Sequence, residues 1–500
     1  MLKAQLIRLH KSIAWFAGFG FFCFAISGIL HPVMSWTGPQ IINRQPPQGL
    51  FHTKDIQGFI QLADTFQWQQ VTHLQLVPGP DGNLLQVTLD PKQPRLYFDI
   101  EQQTQLEDYD APYAEWLAAH YYGKYTEHQQ GTVKIDPNQT KFLTQFQSEY
   151  PWIHRLLPVY KVVITSEESP VHLFIDTQLG VVASITDETK ANFQKWFELL
   201  HTWSWLDEIP QFRFVLVFTV LMTCCLLLSS GIYLLLNFKR HQTLPSQKWH
   251  RRFAAIVFIP IGLLLLSGFY HFLYNEVSPN ELEFQAPKPF NIAQLGLNQH
   301  LSDTVADVQY LLANMSVIHM GVPLLRITQA EAEQVSVQAR YQGGATHEAV
   351  SYLNLKTGKL EQQLTEKDIA EYFLKQHLPE GKSIHSLKFI SRFGDGYDFR
   401  NKRLPVWRAT LDEGSYLFID NATGAKIDLV SLSAQYENFS FSYLHKFNLL
   451  TPVLGRFNRD LVLVTVMVLT LLLACLGFWR LYKMRSKQQQ PEPLTSQLSN

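Results

Sequence analysis

Cysteine is scarce in this chain. Only Cys23, Cys224, Cys225 and Cys475 are present, and all four fall inside long apolar runs. That excludes a disulfide framework and the cysteine-based signatures of zinc and iron–sulfur sites. Thiols so placed read as small apolar packing residues. Net charge is also missing: 42 Lys and Arg stand against 43 Asp and Glu. No bulk electrostatic partner follows from that balance, and nucleic acid is not an expected ligand. There is no Gly-rich dinucleotide or flavin loop. The interiors of the apolar runs lack acidic residues, which argues against a proton or ion relay through them.

What the chain does have is four runs long and apolar enough to cross a bilayer, at 13–34, 213–236, 253–274 and 460–482. Basic residues mark one end of each: Lys3, Arg8 and Lys11, then Lys239, Arg240, Lys248, Arg251 and Arg252, then Arg480, Lys483, Arg485 and Lys487. The positive-inside rule places 1–12, 237–252 and 483–500 in the cytoplasm, the last a Gln/Pro/Ser-rich tail expected to be disordered. The long polar regions 35–212 and 275–459 then lie outside, in the periplasm if the cell is Gram-negative. The first run has no small-x-small cleavage site after it and reads as an uncleaved anchor.

The chain is written twice. LHKSIAWFAGFGFFCFAISGILH and WHRRFAAIVFIPIGLLLLSGFYH each run from His to His over 21 positions, with Ser-Gly just before the second His. RLYFDIEQQTQLED and HLFIDTQLGVVAS in the first polar region match SYLNLKTGKLEQQ and YLFIDNATGAKID in the second, each a strand–turn–strand pattern. A helical pattern separates each pair, 113–123 and 369–381, and LPVYKVV or LPVWRAT precedes each second hairpin. FELLHTWSWL and FSYLHKFNLL lead into the second and fourth runs. This order fits parallel repeats about an axis along the membrane normal. The fold class expected is an integral membrane α-helical protein of four transmembrane helices with internal duplication, carrying two α+β domains outside, 35–212 and 275–459.

Three histidine pairs survive the duplication: His10/His250, His31/His271 and His201/His445. At a rise of about 1.5 Å per residue, 21 residues cover about 31 Å, the thickness of the hydrocarbon. His10 and His250 fall near the inner face, and the other four near the outer face. Interfacial histidines among belt residues such as Trp36, Trp203, Trp205 and Trp249 are the bland alternative. Retention of all six against widely diverged flanks speaks for more. Gly18, Gly20, Gly28, Gly262 and Gly268 would admit a neighbouring helix or a flat ligand. Paired neutral imidazoles suit haem iron; zinc or copper would want further carboxylates or thiols. His73, His120, His154, His300, His319, His347, His377 and His385 are scattered and read as surface or core. Trp68, Trp116, Trp152, Tyr310 and Trp407 read as core of the outer domains. Arg213 and Arg456 or Arg459, at the outer mouths of the second and fourth runs, are candidates for pairing with haem propionates, and equally for helix-end cations at the headgroups.

The LHK…SGILH and WHRR…SGFYH spans, the LPVY and LPVW segments and the LFID-x-x-x-G hairpins resemble the PepSY-associated transmembrane family over about residues 1–485. The resemblance implies PepSY-like outer domains and a bacterial inner membrane. It also implies a b-type haem oxidoreductase, with two haems b, that reduces a periplasmic ferric siderophore. The six histidines would be the ligand candidates: His10 with His250 for an inner haem, and His31 with His271, His201 with His445, or an off-axis pair for an outer one. Electrons would come from quinol, reduced flavin or a cytoplasmic reductase. The resemblance also implies an alternative, a non-enzymatic membrane-anchored binding or accessory protein.

Overall fold

A computed structural model describes residues 2–488 except 43–45, 48, 124, 127–128, 131–133, 166–168, 238–244, 279–283, 298–309, 313–314, 330–348 and 395. His300, His347, Lys239, Arg240 and most of the expected C-terminal tail lie outside the described residues. The chain divides into two compact units. One gathers Met1–Gly38, Thr189–Asn280 and Ser433–Asn500; the other gathers Pro39–Glu188 and Glu281–Leu432.

The first unit contains all four expected spans as helices long and apolar enough to cross a bilayer. They run Leu2–Thr37, Pro210–Asn237, Pro245–Val277 and Thr451–Gln488. Each exceeds its apolar run because polar, helix-favouring turns continue it at the ends. These extensions bring in Glu276, and Asp460 stands on the first turns of the fourth helix, so acidic residues occur at the span ends. The fourth helix is broken at Gly455, whose φ of 74° and ψ of 167° suit a residue without Cβ. The first span packs on the second and fourth, and the third packs on the same two. The first and third, which carry the copied His-to-His motifs, are therefore diagonal in the bundle.

The second and fourth spans have matching lead-ins. A helix, Glu188–Phe197 or Leu432–Phe439, widens into a π-turn, Glu198–Thr202 or Ser440–His445. A left-handed residue follows in each copy, Trp203 at φ 57° and Phe447 at φ 52°, and then one 3-10 turn. A π-turn rotates the residues beyond it relative to an α-helix and is common at functional sites. Here it ends on or beside the histidine in both copies.

The second unit is built from both polar regions. The first contributes β1 (His73–Pro78), β2 (Asn83–Thr88), β3 (Leu96–Asp99), β4 (Thr104–Leu106), β5 (Val159–Thr165), β6 (Val171–Asp176) and β7 (Val181–Asp187). The second contributes β8 (Met315–His319), β9 (Pro323–Gln329), β10 (Ala349–Asn354), β11 (Ile384–Ile390), β12 (Val406–Leu411), β13 (Tyr416–Asp420) and β14 (Ala425–Val430). The expected hairpins and intervening helices, Asp110–Tyr122 and Glu366–His377, are present.

The two regions do not form consecutive modules: β1 and β8 pair antiparallel, Leu76 opposite Met315 and Gln75 opposite Ser316. One seven-stranded sheet results, in the order β10-β9-β8-β1-β2-β3-β4. Strand alternation explains its two cores. Leu74, Leu76, Leu85, Val87, Val317, Leu325 and Ile327 face the helix Thr53–Phe66 in a core shared by both regions. On the opposite face, Leu84 joins the helix Asp110–Tyr122 and sheet β5–β7, while Ile318 and Leu324 join the helix Glu366–His377 and sheet β11–β14. Trp68 is buried in the shared core, whereas Trp152 is exposed beneath the Arg155 guanidinium.

The shared sheet predicts that residues 39–188 expressed alone leave the β1 edge and half a core open. Such a fragment should be insoluble or molten. Co-expression with 281–432 should restore a dispersed amide spectrum and a cooperative melt.

A paired-histidine site in the helical bundle

Diagonal placement puts His10 of the first span and His250 of the third on one cavity of about 440 Å³. That size lies within the usual range of small-ligand sites, about 300–1,000 Å³. Its walls are mostly apolar and several of its residues small, including Ala14, Gly18, Ala254 and Gly477. A Cβ built on Gly231 would lie 3.3 Å from Cε1 of His10, and one on Gly477 would lie 3.7 Å from Cε1 of His250. Each histidine therefore lies on a helix surface kept low by glycine.

The other closely placed pair is His201 and His445, with ring centroids 6.2 Å apart. Imidazole-to-metal bonds are about 2 Å long, and adding about 1.2 Å from each ring centre to its nitrogen gives about 6.4 Å across one shared ion. His201 belongs to the level of Ser27 on the first span, and His445 to the level of Ser267 on the third. Ser27 is 17 residues past His10, so this second level stands about 25 Å along the helix from the first, closer than the 31 Å set by His31.

The hydrogen bonds fix the tautomers. Ser27 donates its hydroxyl to the Phe24 carbonyl and so accepts from Nδ1 of His201, 3.0 Å away. Nδ1 of His445 donates to the Leu264 carbonyl at 3.1 Å and lies 3.3 Å from Ser267 Oγ. Ser230 donates to Leu227 and accepts from Nδ1 of His10 at 2.9 Å. Nδ1 of His250 faces the Leu473 carbonyl but stays short of hydrogen-bonding geometry. In His10, His201 and His445, with the proton held on Nδ1, the lone pair sits on Nε2, the form that ligates a metal.

His31 and His271 differ. Each is set apart from its neighbouring histidine by an aromatic ring: His31 packs on Phe197, which stacks on His201, and His271 stacks on Phe441, which stacks on His445. His271 bonds the buried Glu437 carboxylate through Nδ1, and Asn275 lies 3.0 Å from its Nε2. Both its nitrogens have protein partners. The sequence reading left the outer pairing open; the structure brings together His201 and His445, and His10 and His250 share a cavity.

Among the described residues no group of three or more His, Cys, Asp or Glu is arranged to hold a metal ion. Zinc and copper sites usually need three or four protein ligands. A pair of neighbouring imidazoles could instead serve an ion whose remaining positions are filled by a macrocycle, and the cavity lined by His10 and His250, with small residues in its walls, has room for a flat group.

The outer arginines are engaged with protein groups. Arg213 pairs with Asp207 and Glu276, Arg459 with Asp460 and Asn448, and Arg456 with Ser35. In the other unit, His73 is buried on a hydrogen-bonded chain through Gln75, Gln86 and Tyr97 to Asp110. Asp110 and Glu366, each opening a helix, accept from Tyr97 and Tyr352 in matching fashion. The sequence carries a signal for this: in both copies a Tyr in the hairpin is followed by an acidic residue that opens the helix.

Compared with known proteins, the chain matches no family model and no curated protein.

Burial pushes the His201 imidazole down to about 3, with His445, His31 and His271 nearby adding to the effect, and His445 down to about 4. Both are neutral at pH 7. The unfolded chain takes up these protons near pH 6.5, the native chain only near 3 and 4, so the unfolded state binds more protons between. Stability of the metal-free protein should be flat in this respect above pH 6.5 and fall as pH drops from 6.5 toward 4. Melts at pH 7.5, 6 and 5 should show that slope, and a His201→Phe/His445→Phe variant should show a shallower one.

Proposed function

We propose that this chain is a b-type haem oxidoreductase of the bacterial inner membrane, similar to the PepSY-associated transmembrane family, passing electrons outward to a periplasmic ferric siderophore. The observation that carries the reading is the His201–His445 pair. Its rings are 6.2 Å apart, and a Ser-Gly serine sits beside Nδ1 of each in both copies of the repeat. His10 and His250 would hold a second haem in the cavity they share.

Haem, when bound, supplies a one-electron iron couple. The chain's residues do the rest. Ser27, Ser230 and the Leu264 carbonyl keep Nε2 of their histidines unprotonated. Gly231 and Gly477 admit His10 and His250 to the bundle interior. The apolar helices exclude water between the two levels, where Phe21 lines the inner cavity and Phe24 meets His201 edge-on at 5.8 Å. A ferric chelate that accepts one electron holds its ferrous iron more weakly and releases it. The donor belongs on the basic, cytoplasmic side and is a quinol, a reduced flavin or a reductase.

The reduced-minus-oxidised visible spectrum of the purified protein tests this, with a haem-to-protein ratio. Two haems per chain are expected. His201→Ala and His445→Ala should each remove one, and His10→Ala and His250→Ala should each remove the other. His31→Ala and His271→Ala should keep both. A folded protein with no such spectrum after growth with added haem would overturn the reading in favour of a membrane-anchored binding protein.

A further inference from the structure

The inner cavity is not uniformly apolar. Lys11, Arg251 and Arg480 line it together with Gln247, and among the described residues no carboxylate does; Arg251 also donates to the Leu235 carbonyl. Nor is a carboxylate close in the chain: residues 1–54, 209–275 and 461–491 contain no Asp or Glu. Lys11 and Arg251 directly follow His10 and His250, so the two copies place a cation at the same position. Arg480 lies about one turn beyond Gly477, the residue that meets His250, toward the basic end of the fourth span. It is within electrostatic reach of both His10 and His250. The positive-inside rule accounts for cations flanking a span. It does not require three of them to line one cavity with the histidine pair. Cations beside a low-dielectric cavity favour an anion there far more than they would in water.

We propose that the inner cavity binds a dicarboxylate tetrapyrrole with both carboxylates turned to the basic end of the bundle, received by Arg480, Lys11 and Arg251. This rests on the haem reading and adds to it the ligand's orientation and the residues that select for its acid groups. Arginine suits the task because its planar fork matches a carboxylate, and long basic side chains reach along apolar walls with their charge at the end.

The test uses the full-length apoprotein from haem-starved cells, reconstituted in phosphatidylcholine nanodiscs. It is titrated with iron protoporphyrin and, separately, with its dimethyl ester, which keeps the macrocycle and iron but has no carboxylate. One of the two binding equivalents should take the ester at least tenfold more weakly than the free acid. The variant Lys11→Gln/Arg251→Gln/Arg480→Gln should lose that difference while the other equivalent is unchanged. Equal binding of acid and ester to the unaltered protein would overturn the inference and leave the haem reading standing. So would a difference that persists in the triple variant. If the difference disappears once phosphatidylglycerol is added to the discs, the cations hold a lipid phosphate and the inference also fails. No Soret band with either compound would remove the haem reading itself. The unaltered protein alone separates the main outcomes, so they do not depend on how well the variant folds.

Discussion

An imidazole inside an apolar bundle must satisfy its N–H, because an unpaired buried donor costs about 1–3 kcal/mol. His10, His201 and His445 meet that requirement, His250 does not at Nδ1, and much of the membrane unit follows from how the three meet it. Within a helix the backbone carbonyls are already engaged, so an acceptor must be a shared carbonyl or a hydroxyl that itself donates back to the helix. Ser27 and Ser230 bond the carbonyl three residues before them, Ser267 those three and four before, and each offers its oxygen outward. Close approach then needs a helix surface without side chains. A Cβ on Gly268 would stand 3.0 Å from Cε1 of His445. The π-turns before the second and fourth spans complete the arrangement, since a regular helix would present His201 and His445 at a different angle.

The other unit obeys a different constraint. Each polar region alone supplies three or four strands of a sheet with one open edge, and open edges must be paired or protected. Here β1 and β8 pair with each other. A duplicated segment is well suited to this, because an antiparallel edge can meet its own copy about a two-fold axis. The shared core beneath the sheet, with Phe51, Leu74 and Leu85 from one copy and Val317, Leu325 and Leu353 from the other, makes the pairing structural rather than incidental.

Local features were legible in the sequence and non-local ones were not. Spans, hairpins and helices are set by periodicity and turn residues within a dozen positions. The union of the two polar regions depends on contacts between β1 and β8, far apart in the chain, for which no local pattern exists. The histidines stand out because the copies retain them, but the serines beside them do not, since a Ser-Gly pair in a span suits helix packing equally well. The π-turn leaves no trace in periodicity over so short a stretch. Lys11, Arg251 and Arg480 were visible as orientation signals. That the three line one cavity depends on how the helices pack.

The duplication also serves as an internal comparison, and it separates four of the six histidines from the other two. Retention of a histidine alone does not distinguish a ligand from an interfacial residue, because copying preserves both. Retention of its surroundings does. His201 and His445 keep a serine at Nδ1, and His10 and His250 keep a glycine against the ring. His31 and His271 keep only the aromatic spacer. Eight positions before His445 stands Glu437, which binds His271; eight before His201 stands Phe193. One copy has thus given this outer histidine a carboxylate that the other lacks. A shared function for a pair would require matched environments, which His201 with His445 and His10 with His250 have in large part and His31 with His271 do not. His31 and His271 are thus held, through Phe197 and Phe441, as neighbours of His201 and His445 and not as a matched pair of their own.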